Sequence, residues 1–453
     1  MALPKYFRLA RILLAHEIRG LLASKALWAM LLALAPLVGY SFVQAVSLFA
    51  EASKSAVEFP ELARGMTPLD GILVPTLGAF YLAVTLLFPF VAIRAIGQDK
   101  QTGAAKLVAQ FPVGTVTLLV VKTLAVGAAW CLAALPALSA VAIWALLGGH
   151  LYAPEWLNLV LGHALYGFAI TGIAFFAAAI ADSVATAAIV ALAFTLGFWV
   201  LDFAAGNVQA SWLQALSQMS LTAALRQFEH GLFSLPHALE AASIGGTLIL
   251  AAGVWLVAGR TLPRKIGLTI ALAILLAALL AAAGQAGVYH DVSEDRRNSF
   301  APADSVALAR MDKGLTITLY LSPDDSRFKD IEANVLGKLR RQVPRLTVRL
   351  GEAGRVGLYG SSGDDRYGLV VYEYAGKREE SRSSDPREIL PILHGLAGTT
   401  VVPTETPSYP GYPLVADASV WGGWFYLGLP LLILLFWWRC HRPARPNFEK
   451  EKP

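Results

Sequence analysis

Long apolar runs separated by short charged stretches dominate this chain. A membrane-crossing helix needs roughly 20 apolar residues, because a rise of about 1.5 Å per residue must cover a hydrocarbon layer of about 30 Å. By that test eight runs read as spans: Leu27–Leu48, Ile72–Ile96, Val116–Leu147, Leu157–Ala181, Val184–Asp202, Leu239–Ala258, Ile266–Val288 and Trp421–Trp438. The third is long enough to tilt or kink, and Pro136 inside it supplies a cause. No cleavable signal peptide is expected, since the first run has full span length and no small-residue cleavage site follows a short core.

Between the seventh and eighth runs the period changes. Leu315, Ile317, Leu319 and Leu321 alternate with Thr316, Thr318 and Tyr320, the pattern of a half-buried strand. Phe328, Ile331, Val335 and Leu339 then recur at helical spacing, and "LTVRL" at 346–350 alternates again. "YGLVVYEYAGKREESRS" reads as two strands about an Ala375-Gly376 turn. With a helix near Arg387–Leu396 this predicts a β-α-β-β-β layer closed by a helix. "GSSGDDR" at 360–366 reads as a mobile loop, and "VVPTETPSYPGYPL" at 401–414 as an extended tether returning to the membrane. The fold class expected is therefore an α-helical polytopic membrane protein of about eight transmembrane helices, with one α/β extracytoplasmic domain inserted before the last helix.

Composition agrees: 56% of the 453 residues are hydrophobic and only 15% are charged, which excludes an ordinary soluble domain. Charge then sets the orientation. Lys5, Arg8, Arg11, Arg19 and Lys25 precede the first span, and Lys100, Lys106 and Lys122 lie between the second and third. Arg260, Arg264 and Lys265 join the sixth and seventh, and Arg439, Arg442 and Arg445 follow the eighth. An even number of spans collects all of these on one side, the cytoplasm by the positive-inside rule, and places both termini there and residues 289–420 outside. The modest net charge of +5 is explained by those loops, so nucleic acid is not an expected partner. Cys131 falls in the third span and Cys440 just inside the cytoplasm, which leaves no disulfide or cysteine metal site for the outer domain.

Two amphipathic stretches lie on the basic side. "KYFRLARILLAHEIRGLLASK" places Phe7, Leu9, Ile12, Leu13, Leu14 and Ile18 among Arg8, Arg11, Glu17 and Arg19, the pattern of an interfacial helix along the headgroups. A plain basic flank that only orients the first span is the alternative. The second is "IRAIGQDKQTGAAKLVAQFPVG", 93–114, where Ala104, Leu107, Val108 and Phe111 form one apolar stripe and Lys100, Gln101, Thr102, Lys106 and Gln110 a wetter surface. Asp99 stands near the start of this predicted 97–112 helix and Pro112 closes it. Between the fifth and sixth spans, "FAAGNVQASWLQALSQMSLTAALRQFEHGLFSLPH" predicts short helices lying partly in the outer leaflet. Trp156, Trp199, Trp212, Trp421 and Trp424 near span ends fit an aromatic belt.

The second stretch carries a resemblance. Asp99, Gly103, Pro112, Val113 and Lys122 match the rhythm of permeases of ABC-2-type exporters, which have an acidic residue, a Gly-Thr pair, an amphipathic helix and Pro-Val between the second and third spans, then a lysine. Ala104 and Lys106 depart from that pattern. Phe228 and Gly231 fit a Ser-x-x-x-x-Phe-x-x-Gly rhythm before the sixth span, so residues 1–260 resemble the six-span subfamily of gliding-motility and nitrous-oxide-reductase-maturation permeases. Asp291, Ser293, Glu294, Arg296, Arg297 and Ser299 resemble the opening of a gliding-motility auxiliary subunit.

The residues divide the chain into an interfacial helix at 1–25, a six-span region at 26–262, a seventh span at 263–288, the outer α/β domain at 289–398, the tether at 399–420, the eighth span at 421–438 and a cytoplasmic tail at 439–453. The resemblance implies that 26–262 is a permease domain whose coupling helix, 97–112, docks on an ATPase. The contact residues would be Asp99, Lys100, Thr102, Gly103, Lys106, Leu107 and Pro112. The partners would be a cytoplasmic ATPase dimer, a second permease chain, membrane lipid and an extracytoplasmic protein, with the bacterial inner membrane as the site. The bland reading makes this segment an interfacial loop that lets the chain turn around.

Chemistry of the chain's own is not expected. A G-x-x-x-x-G-K-[ST] loop is absent, so ATP and magnesium would be held by the partner, and no HExxH or nucleophile elbow occurs. Asp324-Asp325 and Asp364-Asp365 read as turn and cap residues rather than cation ligands. His163 is the one ionisable residue deep in a span and reads as a packing residue rather than a proton relay, while Asp182, Asp202 and Glu51 sit at span ends. A scaffolding membrane protein that uses an ATPase to act on an outer partner, translocating nothing, is the second hypothesis.

Overall fold

The computed structural model describes residues 3–103, 114–205, 220–257, 259–322, 325–351, 366–401 and 409–441. An amphipathic helix, α1 (Leu3–Leu22), is followed by α2 (Lys25–Glu58) and α3 (Leu69–Thr102), the latter opening with a π-helical turn at Leu69–Leu73. Next come α4 (Thr115–Leu146), α5 (Ala153–Ile180), α6 (Val184–Ala205), the short α7 (Leu221–Glu229), α8 (Leu235–Leu256) and α9 (Leu262–Gly284). The last helix, α13 (Ser419–His441), follows the α/β domain. Seven helices among the described residues are long and apolar enough to cross a membrane. The remaining expected run is α6, whose described side chains are apolar over Val184–Val200.

Helix α4, the third expected span, breaks where the sequence says it should. Its two pieces, Thr115–Ala133 and Leu135–Leu146, meet at Ala134, because Pro136 has no amide hydrogen to give and is tolerated only in a first turn. Elsewhere helices approach closely through small residues. A Cβ added to Gly172 of α5 would lie 2.5 Å from the Gly245 carbonyl of α8, so the two backbones are in contact. By contrast α9 buries only 6% of its apolar window, exposing Ile266, Ile270 and Ile274, and so its apolarity has no packing explanation within this chain. Such a surface is compatible with hydrocarbon around it.

Contacts divide the bundle into two ends. At the basic end, the His441 ring nitrogen lies 3.2 Å from the Ala23 carbonyl, joining α13 to the α1–α2 turn, and Lys265 donates to the Trp255 carbonyl, joining α9 to α8. At the opposite end, the Leu414 amide donates to Ser53 Oγ and the Tyr412 amide to the Met66 carbonyl. The described part of the expected tether, 409–418, is therefore clipped along α2 rather than free, because its amides find acceptors on the bundle.

The domain at that end has a four-stranded sheet in the order β4-β3-β5-β6. Its strands are β3 (Leu315–Leu319), β4 (Leu346–Leu350), β5 (Val370–Tyr374) and β6 (Lys377–Ser381). β3 and β4 run parallel across α11, which is continuous over Ser326–Ile331, Glu332–Leu336 and Gly337–Gln342. β5 and β6 form the expected hairpin, with Ala375 at φ 54° and Gly376 at φ 81° in its turn. Alternation on β3 buries Leu315, Ile317 and Leu319 against Val335 and Leu339 of α11 and Ile389 and Leu393 of α12 (Pro386–Ala397), with α10 (Pro302–Ala309) beside them. Residues 360–365 and Asp324 lie outside the described residues, whereas Asp325 is the expected cap, accepting from the Arg327 amide at 2.9 Å.

One pairing was not foreseen. β1 (Leu232–Ser234), just before α8, pairs antiparallel with β2 (Tyr289–Asp291), just after α9, and so fastens the root of the domain to the bundle.

Gly172→Val should lower the thermal unfolding midpoint in detergent by the equivalent of about 1–3 kcal/mol through overpacking. Gly246→Ala, where a Cβ meets nothing within 4 Å, should not lower it. Hydrogen bonds from Arg327 and then Tyr367 hold the Asp325 carboxyl down to about 2. Its folded value lies below the unfolded value of about 3.9, so its stabilisation is complete above that pH and is lost as pH falls through about 2. Asp325→Ala should cost about 1 kcal/mol at neutral pH and flatten the acid limb of a denaturation series followed by tyrosine fluorescence.

Candidate coupling site

Five of the residues expected to matter at 93–122 meet at the basic end. α3 runs through Asp99, Lys100 and Thr102 as its last turns, and Gly103 ends it at φ 74° and ψ 2°, a left-handed cap that glycine adopts without a Cβ penalty. This corrects the expected helix start at residue 97: Asp99 belongs to the end of the second span helix, not to the opening of a separate one, because Gly103 interrupts the helical path. Lys106, Leu107 and Pro112 lie outside the described residues, together with the rest of 104–113.

A carboxylate near a helix C-terminus is disfavoured by the helix dipole, so Asp99 needs a cation. Lys122 of α4 supplies it. The Lys122 ammonium is 2.6 Å from Asp99 Oδ2 and 2.6 Å from Glu17 Oε1 of α1, and it donates a third hydrogen bond to the Ala95 carbonyl. All three ammonium hydrogens are thereby used, on a residue only 2% exposed. A cation set in an apolar run needs such partners, because an unpaired buried charge is expensive.

Lys100 performs the neighbouring task. Its ammonium donates to the carbonyls of Ala178 at 3.1 Å, Ala179 at 2.9 Å and Ala181 at 2.7 Å. These are carbonyls at the C-terminus of α5, where a helix has no further amides to satisfy them and where a cation is favoured by the dipole. Thr102 Oγ1 bonds back to the Gln98 carbonyl at 3.0 Å, and Gly97 leaves room for Val184 of α6, which a Cβ there would meet at 3.1 Å. The last two turns of α3 are thus fastened to α4 through Asp99 and its partner Lys122, which also binds Glu17 of α1, to α5 through Lys100, and packed on α6 through Gly97.

A second network joins the α/β domain to the far end. The residues that carried the auxiliary-subunit resemblance build it. Asp291 accepts from the Ser293 amide, the Asn298 amide and Ser299 Oγ, folding 291–299 into a compact turn in which Arg296 adopts φ 52°. Glu294 then bonds His150 Nε2 at 2.8 Å and accepts from the Tyr412 hydroxyl at 2.6 Å, while the His150 and Tyr412 rings stack at 3.5 Å. The Glu294 amide donates to Glu155 Oε1, on the first turn of α5, at 2.7 Å. Arg297 pairs with Asp295 and with Asp70 at the start of α3, and donates to Thr67 Oγ1 at 3.0 Å. Carboxylates on both sides hold the Arg297 guanidinium firmly charged against the opposing effect of its burial.

Other expected residues fall elsewhere. His163 packs its ring 5.9 Å from Phe80 and stands 3.7 Å from Glu229 Oε1, too far for a hydrogen bond. Asp182 is exposed in the α5–α6 turn. Phe228 is buried against Gly162, and Gly231, at φ 75°, ends the turn after α7. Glu17, Asp70, His150, Glu155 and Tyr412 were not singled out as partners. Glu17 carried a readable signal, being the only acidic residue in the first 50 and set among arginines.

Comparison with protein-family models, curated proteins and solved structures finds no match to this chain.

Lys122→Met should destabilise the protein by about 3–5 kcal/mol, since it strands two carboxylates. Adding Glu17→Gln and Asp99→Asn should recover most of that loss in thermal unfolding. A triple variant no more stable than Lys122→Met would show that the three groups are not one unit.

Proposed function

We propose that this chain is the permease subunit of an ABC-2-type exporter, coupling ATP hydrolysis by a separate cytoplasmic ATPase to export of a substrate. In this reading the basic end faces the cytoplasm, as its lysines and arginines favour. Eight helices cross the bacterial inner membrane, both termini are cytoplasmic, and the α/β domain lies outside. The chain pairs with a second permease chain and with two ATPase subunits. It makes no covalent chemistry of its own.

The observation that carries the proposal is the anchoring of α3 immediately before residues 104–113. A force applied to that segment would reach Asp99 and Lys100 first; Asp99 is bonded to Lys122 of α4, which also holds Glu17 of α1, and Lys100 is bonded to α5. A segment that served only to turn the chain around would need no such fastening. Rigid-body motion of an ATPase would therefore tilt several helices together.

A second reading has its own support. Arg297 and Glu294 clamp the domain to α3, α5 and the 409–414 segment, so motion of the bundle would carry the domain with it. The chain would then act mechanically on an outer partner protein and translocate nothing.

Co-expression with an ABC ATPase encoded beside it should yield a complex whose ATP turnover exceeds that of the ATPase alone. Gly103→Trp should reduce that stimulation at least about tenfold while the chain still inserts and purifies, and Asp99→Lys, which sets a second ammonium beside Lys122, should reduce it together with the thermal midpoint. Undiminished association and turnover in both variants would remove the coupling assignment. Turnover that rises with a compound which also accumulates across a proteoliposome supports export, whereas turnover responding only to an outer protein supports the mechanical reading.

A further inference from the structure

The span helix α2 is longer than a membrane is thick. Its 34 residues extend about 51 Å, against a hydrocarbon core of about 30 Å, and its outer part bears polar side chains on one face. Gln44, Ser47, Glu51 and Lys54 recur at i, i+3, i+7 and i+10, a single stripe. The stripe begins within the apolar run Leu27–Leu48 and ends beyond it, so it crosses the boundary between hydrocarbon and water.

The return segment leading into α13 passes beside this stripe and closes it into a cleft of about 590 Å³. Asp417 and Ser419 line the opposite wall. The Asp417 carboxylate accepts from the Ser419 amide at 2.8 Å, which fixes its position. No ion pair joins Glu51, Lys54 or Asp417 to another charged side chain among the described residues. Around the cleft Leu48, Val415 and Val420 are exposed, and Trp421 and Trp424 stand at the start of α13, the kind of span-end position that aromatic residues favour beside headgroups.

We propose that this cleft binds the headgroup of an ammonium-bearing phospholipid of the phosphatidylethanolamine type. Two carboxylates and one lysine give the cleft a formal charge of −1, which disfavours a purely anionic head. An ethanolamine ammonium has three donors to place on Glu51 and Asp417, and its phosphate, one short linker away, reaches Lys54 and the Ser47 hydroxyl. The acyl chains would descend along Leu48 and Val43, on the part of α2 below the boundary. A water-soluble ligand would use only the upper half of the cleft. The proposal requires membrane embedding but not ATPase coupling, so it stands or falls separately from the preceding one.

The test is lipid retention by the purified full chain, read by native mass spectrometry after exchange into detergent with equimolar phosphatidylethanolamine and phosphatidylglycerol. The wild type should hold at least one phosphatidylethanolamine in preference to phosphatidylglycerol by about fivefold or more. Glu51→Lys, an exposed substitution, should abolish or reverse the preference, and Ser47→Trp should displace the lipid by filling the cleft. Each variant is checked for an unchanged thermal midpoint, and Glu51→Gln serves where Ser47→Trp fails to fold. Soluble phosphoethanolamine should not compete at the same concentration, and competition by it would mean a headgroup-only site and overturn the amphiphile assignment. Equal retention of both lipids by the wild type, or unchanged preference in Glu51→Lys, would overturn the proposal.

Discussion

Everything at the basic end depends on how a single ammonium group is kept in an apolar setting. Lys122 is almost wholly shielded from solvent, and its stability there requires that α1 deliver Glu17 and α3 deliver Asp99 and a backbone carbonyl to within hydrogen-bonding distance. A buried cluster of this kind adds little net stability over a well-packed apolar one, yet any arrangement that leaves one charge without its partners is strongly penalised. Its effect is selective: helix registers that miss the partners are excluded. The amphipathic first helix is thereby fixed against the third and fourth, although only part of its own surface is buried.

The far end is organised by different forces with the same outcome. Instead of one buried cation there is a chain of surface and half-buried contacts, from Asp70 and Thr67 through Arg297, and from Glu155 through the Glu294 amide and side chain to His150 and Tyr412. Individually such contacts are modest in water. Together with the β1-β2 pairing they tie the α/β domain to α3, to α5, to the segment before α8 and to the return segment at Tyr412.

Much of this plan was legible from periodicity. Apolar runs of span length, the break at Pro136 and the alternation of Leu315, Ile317 and Leu319 each reflect a local rule, so each could be read without tertiary information. The same holds for the Ala375-Gly376 hairpin, whose two residues carry the positive φ angles a tight turn demands. The helix boundary at Gly103 was misplaced because amphipathic spacing continues through that residue while its backbone does not. The partners of Lys122 and Lys100 were invisible for another reason. Glu17 is 105 residues from Lys122 and the Ala178 carbonyl is 78 from Lys100, and separations of that size are fixed by packing alone.

The contact between Gly172 and Gly245 has a mechanical corollary. Where the two backbones touch, the spacing of α5 and α8 is set by main-chain atoms, which have no rotamers to change when the helices move. Helix α5 is about 42 Å long over its 28 residues, with Lys100 bonded at one tip and the Glu294 amide at the other. A rotation of α5 by a few degrees about either tip therefore moves the other by about 2–4 Å.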